Sequence, residues 1–228
     1  MIIGLCGAQG AGKDTVGGIL ESKHGFVKLA FASAIKDILS ALFSWPRDML
    51  EGLTKESREW RETPNEYWSN KLAIPDFSPR RAMQIVGTDL FRNHLNQDIW
   101  INIIENKIMI LRESGENHRF FQVYPERNQR FLHVYPPKAD IPKADIPNVN
   151  IVITDCRFAN EFDMIRKFPE ARIIKIVKDT HIEIGATHSS ENDWTNVECE
   201  ILQNNGSIES LGINIDTMIY SSLSASSS

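Results

Sequence analysis

Residues Gly7 to Thr15 read G-A-Q-G-A-G-K-D-T, directly after the apolar run Ile2-Ile3-Gly4-Leu5-Cys6. Gly7, Gly10 and Gly12 free the backbone to wrap with its N–H groups pointing inward, and Ala11 is small enough to stay out of the way. The helix that would follow offers its positive N-terminus to phosphate oxygens. Lys13 stands where its ammonium reaches the β and γ phosphates of a bound triphosphate. The spacing fits G-x-x-x-x-G-K-[ST], except that Asp14 takes the Ser/Thr place and Thr15 follows one position later. That departure is commoner in small-molecule phosphotransferases than in motor ATPases or GTPases. A glycine-rich turn without a ligand is the plainer alternative, and the preceding strand and the lysine argue against it. The pattern implies a nucleoside triphosphate site.

Asp155 closes the run I-V-I-T-D, as the acid that positions Mg²⁺ beside a phosphate loop does. A water-activating Glu often follows that acid; here Cys156 and Arg157 follow. No D-x-x-G switch comes after the strand, and Asn70-Lys71 and Asn106-Lys107 both lack the Asp of a guanine reader. The residues therefore favour phosphoryl transfer over hydrolysis, since transfer needs mainly positive charge and exclusion of water. Arg157 can face the same cleft as Asp155, or pair with Glu161 at the surface. Arg80, Gln84 and Gly87, at i, i+4 and i+7, share one helix face: a phosphate clamp, an amide for a base edge, and room for a flat ring. Arg92 and Trp100 extend that region with a second cation and a stacking surface. The plainer reading is an amphipathic helix with Met83, Ile85 and Val86 inward. Lys36 reads equally as a solvated helix residue or a phosphate ligand.

These groups need a scaffold. The 228 residues suffice for one domain with insertions, and the net charge of −5 gives no global field toward nucleic acid or anionic lipid. Three cysteines (Cys6, Cys156 and Cys199), set in or beside apolar runs, suggest reduced thiols in a cytoplasmic protein rather than a disulfide framework. The six histidines show no metal-ligand spacing. No apolar stretch reaches the ~20 residues of a membrane span, and the N-terminus enters the loop's strand with no removable leader.

Strands are expected at Ile2–Cys6, Phe26–Phe31, Val149–Thr154, Arg172–Lys178 and Cys199–Gln203. Helices are expected at Lys13–Lys23 (closed by His24-Gly25), from a Ser33 cap to about Phe43, and at Arg80–Val86 after Ser78-Pro79. Gly87-Thr88 should interrupt the last of these, with Thr88 or Asp89 capping a further turn. Asp98 should cap a long amphipathic helix with Ile99, Ile103, Ile104, Ile108 and Leu111 on one face. Glu161–Phe168 also reads as helix. Between Trp45 and Pro75 the chain is too charged for a core helix and too rich in Trp for a plain linker. Residues 113–150 hold the repeat Lys138–Pro147 and read as a stiff excursion, or as a hairpin of Arg119–Tyr124 with Arg130–Tyr135. The Ser-rich end, Ser221–Ser228, reads as disordered. Apolar strands alternating with helices make an α/β fold with a parallel, roughly five-stranded sheet covered on both faces. Ligands then sit at the C-terminal ends of the strands, which gathers Gly7–Thr15, Ala32–Lys36, Asp155–Arg157 and Asn204–Gly206 on one rim.

In this order the segments resemble the deoxynucleoside monophosphate kinases of tailed phages and large DNA viruses, a branch of the phosphate-loop nucleoside monophosphate kinases. The resemblance is carried by Gly7–Thr15, F-A-S-A-I-K at Phe31–Lys36, R-E-W-R-E at Arg58–Glu62 and S-P-R-R-A-M-Q-I-V-G-T-D-L-F-R at Ser78–Arg92. D-I-W at Asp98–Trp100, T-D-C-R-F-A-N-E at Thr154–Glu161, H-S-S-E at His188–Glu191 and N-N-G-S at Asn204–Ser207 complete it. It implies a three-layer α/β/α kinase domain over 1–220, with an acceptor-binding region at 33–100, an insertion at 113–148 and a lid at 180–198. It implies ATP at Gly7–Thr15 and Asn204, and Mg²⁺ at Thr15 and Asp155. Lys13, Asp155 and Arg157 would be catalytic. A (deoxy)nucleoside monophosphate would lie near Ile35, Lys36, Arg80, Gln84, Gly87, Thr88, Arg92, Trp100, Arg157 and Glu161. The lid holds no arginine, so its clamp would come from elsewhere; Arg119, Arg127 and Arg130 are candidates, although a solvated basic hairpin is the plainer reading of those three. Alternatives are a kinase of another small phosphorylated metabolite, or an ATP-dependent nucleic-acid or partner-binding module using Arg119–Arg130. The acidic net charge counts against nucleic acid. A Trp45–Trp68 segment, if exposed, would offer a homodimer surface.

Overall fold

Five apolar runs pair side by side, all parallel, into one sheet. In the computed structural model, which describes residues 1–113, 149–179, 195 and 197–225, the strands are β1 (Ile2–Cys6), β2 (Val27–Leu29), β3 (Ile151–Ile153), β4 (Ala171–Val177) and β5 (Glu200–Gln203). Their order is β2-β3-β1-β4-β5, with Ile3 opposite both Val152 and Arg172. β1 is therefore central, and its residues are buried throughout, as expected for a strand covered on both faces. Ile3 and Leu5 join a core with Val16 and Leu20 of α1 (Lys13–His24) and Leu211, Ile215 and Ile219 of α9 (Ile208–Ala225). Gly4 points to the other face, where Ile165 of α8 (Ala159–Arg166) packs against it. Helix, sheet, helix: the three-layer expectation holds.

The chain divides into two compact units, residues 1–29 with 104–228, and Ala30–Ile103. The second is helical: α2 (Ser33–Phe43), α3 (Arg47–Glu51), α4 (Lys55–Glu62), α5 (Glu66–Leu72), α6 (Pro79–Gln84) and a π-helix (Ile85–Leu95). α7 (Ile99–Glu113) begins immediately after Asp98, and Ile104, Ile108 and Leu111 are buried. The ambiguous stretch from Trp45 to Pro75 proves to be three short helices wrapped round an aromatic core. Trp45 stacks on Phe43 at 4.5 Å and meets Trp60 edge-on at 5.9 Å, while Trp68 packs on Phe43 at 4.9 Å. These tryptophans point inward, so they supply no exposed apolar face.

Several expectations shift. β2 stops at Leu29 because β3, its one partner among the described residues, ends opposite it at Ile153; hydropathy alone extends the run to Phe31. Ser33 is the first helical residue of α2, not its cap, because Ala32 already turns the chain in. Gly87-Thr88 does not break its helix, which widens into the π form and continues to Leu95. Gly87's carbonyl accepts the Trp100 indole N–H at 2.8 Å, a side chain entering the helical ladder, and such insertions accompany irregular winding. α9, absent from the expected elements, starts after Ser207, whose Oγ accepts from Ser210 N at 3.2 Å as a helix cap. It runs on to Ala225, so 221–225 of the expected disordered tail continue a helix already nucleated, which costs little per residue. Residues 226–228, the insertion from 114 to 148 and most of the expected lid (180–194 and 196) lie outside the described residues. So do Arg119, Arg127, Arg130 and His188–Glu191. Among the described residues no helix is long and apolar enough to cross a membrane.

Candidate functional site

The loop after β1 is shaped by its glycines. Gly7, Gly10 and Gly12 have φ of +130°, +81° and +103°, conformations open to glycine and strained for other residues. Space is as restrictive as torsion: a Cβ on Gly7 would lie 2.4 Å from the Ile176 carbonyl oxygen, and one on Gly12 2.3 Å from Asn204 Nδ2. Gly12 caps α1, so the loop delivers the helix N-terminus where an anion would be received. Lys13 Nζ donates to the carbonyls of Gly7 and Ala8, both at 2.8 Å, and thus lies across the loop. Burial and then the charge of Arg157 push its pKa down, against the pull of Asp14 and Asp155. Lys13, Arg157, Asp14 and Asp155 therefore share one electrostatic neighbourhood. Asp14 and Thr15 occupy the first turn of α1, both exposed.

The ends of β3 and β5 complete this set. Asp155, half-buried, and Arg157, exposed, follow β3. Glu161 is 1% exposed; its Oε2 accepts the backbone N–H groups of Arg157 at 2.7 Å and Phe158 at 3.1 Å. This carboxylate, expected at a substrate, holds the backbone that carries Arg157. Asn204 follows β5 and donates its amide to the Ala11 carbonyl at 2.8 Å, bracing the loop from across the sheet. Cys6 is pushed up to about 12, chiefly by burial, and burial raises Cys156 strongly as well, so neither thiol is a nucleophile at neutral pH. The oxygen donors here, Thr15, Asp14 and Asp155, suit Mg²⁺, which takes one or two carboxylates and leaves its other positions to phosphates and water. Among the described residues no three His, Cys, Asp or Glu gather as an all-protein metal cage.

The remaining predicted residues belong to the helical unit. Ile35 lies over Gly87, where a Cβ would come within 2.9 Å of Ile35 Cδ1. The space that Gly87 was expected to leave for a flat ring is filled by this side chain. Trp100 is 2% exposed, its ring 5.2 Å from Phe91 and its N–H committed to Gly87. It braces the π-helix and presents no open stacking face. Lys36 pairs with Glu51, and Arg80 Nε with Glu62 Oε1 at 2.9 Å.

The π-helix changes which residues share a face. Four α-helical residues overshoot a full turn by about 40°; four π-helical residues, at ~4.4 per turn, fall short by about 30°. The two drifts cancel along Arg80, Gln84, Thr88 and Arg92, leaving a stripe with a four-residue repeat. Gln84 and Thr88 are exposed, Arg80 and Arg92 half-buried, and Gly87 is turned inward. Sequence reasoning missed Glu51, which receives Lys36 and Arg47 together; the Arg47–Glu51 spacing of i, i+4 was its available signal. It also missed Arg61, which donates to the Glu51 carbonyl at 3.3 Å.

No family model matches the chain. A protein of Acanthamoeba polyphaga mimivirus that carries the name "Putative deoxynucleotide monophosphate kinase" is 30% identical to it over 211 residues. The match covers 92% of this chain and 91% of that protein.

Proposed function

Since the chain belongs to the deoxynucleotide monophosphate kinase family, we propose that it transfers the γ-phosphoryl group of ATP to a (deoxy)nucleoside monophosphate, yielding the diphosphate. The observation that carries this reading is the glycine-shaped loop with Lys13 lying across it and Asp155 and Arg157 in the same electrostatic neighbourhood. Backbone N–H groups of Gly7–Thr15 and the ammonium of Lys13 hold the β and γ phosphates. Thr15, Asp14 and Asp155 would hold Mg²⁺, which supplies positive charge to the transferred group when bound. Asn204 keeps the loop in shape, and Glu161 aims Arg157 at the migrating phosphoryl.

In this reading the helical unit takes the acceptor, since Ala30–Ile103 nearly coincides with the acceptor region expected at 33–100. Lys36, Arg80 and Arg92 neutralise the monophosphate, and Gln84 and Thr88 present polar atoms to its base and sugar. Ile35, Gly87 and Trp100 form the packed floor beneath that stripe. A phosphate oxygen is already a competent nucleophile, so the chemistry is neutralisation of two anions and exclusion of water, with no strong base. A reaction on free nucleotides calls for neither membrane nor nucleic acid, and we place it in the cytoplasm.

The test is an ADP-release assay with Mg-ATP against a panel of deoxy- and ribonucleoside monophosphates, with Lys13→Ala as control. Turnover that depends on a monophosphate and vanishes in the control is the expected result. ATP binding without turnover on any monophosphate would overturn the reading.

A further inference from the structure

Glu51 ends α3, and three helices send cations to it. Its Oε2 accepts from Lys36 Nζ of α2 and its Oε1 from Arg47 Nη1. Its backbone carbonyl accepts from Arg61 Nη1 of α4 at 3.3 Å. Arg47 is held in turn by Asp37, at 2.6 Å from its Nε. Burial would raise the Glu51 carboxyl, yet Lys36 and then Arg47 outweigh it and keep the group below its usual range. Gly52, the next residue, has φ +70°, and a Cβ there would lie 2.2 Å from Arg61 Cζ. The Arg61 guanidinium thus rests on a residue that has to be glycine, and its Nε is buried with no hydrogen-bond partner among the described residues. Three cations against the carboxylates of Glu51 and Asp37 leave one net positive charge.

Lys36 shows what this arrangement does. Its side chain is 12% exposed, so the ammonium is not free to sweep through solvent, and its direction is set by Glu51. An ammonium has three N–H donors. One spent on Glu51 leaves two, already oriented, for the oxygens of an anion. A charge ordered beforehand loses little side-chain entropy on binding. Without the carboxylate, Arg47 keeps its pair with Asp37 but Lys36 loses the partner that sets its direction.

We propose that Glu51 is a positioning residue for the acceptor's phosphate: it aims the Lys36 ammonium and, through its carbonyl and Gly52, seats Arg61 against the end of α3. The proposal rests on the reading in which Lys36 takes the monophosphate. It assigns no contact between Glu51 and substrate, because a carboxylate would repel the phosphate.

The experiment is a double-mutant cycle on the full chain, Glu51→Gln, Lys36→Ala and both together. KM for the monophosphate, KM for ATP and Tm are measured for each. In Glu51→Gln, KM for the monophosphate should rise ~10- to 100-fold, the cost of a misplaced binding group, while KM for ATP stays within twofold. In the Lys36→Ala background the same change should add less than twofold, because Glu51 then has no lysine to aim. Glu51→Asp, which keeps the charge with a shorter reach, should recover part of the loss. A purely structural role would lower Tm and move both KM values together, and that result overturns the proposal. So does a monophosphate KM that falls or stays level in Glu51→Gln, or a full additive effect in the double variant. If the unmodified protein turns over on no monophosphate, the kinase reading itself has failed and this inference falls with it. Turnover by the unmodified protein with an unaffected Glu51→Gln variant sinks this inference alone.

Discussion

Replacing Gly12 by Ala tests the loop geometry most directly, because torsion, space and a hydrogen bond all oppose it. At φ +103° a residue with a Cβ carries about 1–3 kcal/mol of strain. The new Cβ would sit 2.3 Å from Asn204 Nδ2, an overlap that forces a shift costing another 1–3 kcal/mol or so. Moving Asn204 gives up its bond to the Ala11 carbonyl, worth roughly 0.5–1.5 kcal/mol. These costs are not simply additive, since one relaxation relieves several, and their low ends together come to about 2.5 kcal/mol. That corresponds to ~10²-fold weaker occupancy of the binding-competent loop. Gly18→Ala is the matched control: it lies in the same helix, and nothing stands within 4 Å of its Cβ position. It should stabilise by about 0.5–1 kcal/mol through helix propensity. Titration calorimetry with Mg-ATP and urea denaturation on both variants give the answer. ATP affinity in Gly12→Ala within threefold of the unmodified protein would refute the reasoning, as would equal damage from the two substitutions.

Trp100→Phe removes the indole donor to the buried Gly87 carbonyl and should lower stability by about 1–3 kcal/mol, read from the urea midpoint; a loss under ~0.5 kcal/mol would mean the bond does not hold the π-helix. Acid should weaken the Glu51 network in a defined window. The Glu51 carboxyl is held below its usual 4.5, so its contribution is fully present above 4.5 and is lost as pH falls through the lower folded value. The stability gap between the unmodified protein and Glu51→Gln should therefore narrow as pH falls below 4.5, and a gap that stays constant on acidification would contradict that assignment.

The parts of this fold that were legible in the sequence are those written by short-range rules. Ile2–Cys6 reads as a buried strand and Lys13–Lys23 as a helix closed by His24-Gly25, because apolar runs, a C-terminal glycine and a phosphate-loop spacing are all local signals. Ser78-Pro79 announced α6 equally well, and Ser78 does cap it, accepting from Arg81 N at 3.3 Å. Illegible were the features set by a distant neighbour. β2 is as short as its partner β3 allows. The π-helix carries a carbonyl bonded to an indole thirteen residues on, and no propensity scale encodes that. The Trp-rich stretch resisted reading because each of its helices is too short to declare itself, and an aromatic core that none of them owns holds them together.

The candidate site divides the same way. Residue types and spacings single out Lys13, the glycines, Asp155 and Arg157 as candidates, since each lies within a few residues of the strand end that presents it. Their supports came from elsewhere: Asn204 reaches Ala11 across 193 positions of chain, and Glu51 reaches Lys36 across 15. Local signals were enough to expect a glycine-rich loop at the end of a buried strand of a parallel sheet, because glycine torsions and apolar runs act over a few residues. That Glu161 and Asn204 brace, that Trp100 is buried, and that Glu51 gathers Lys36, Arg47 and Arg61 came from the packing of distant elements. A charged or polar side chain is committed by whichever partner folding brings within about 3 Å of it, and in this protein those partners lie on other helices and strands.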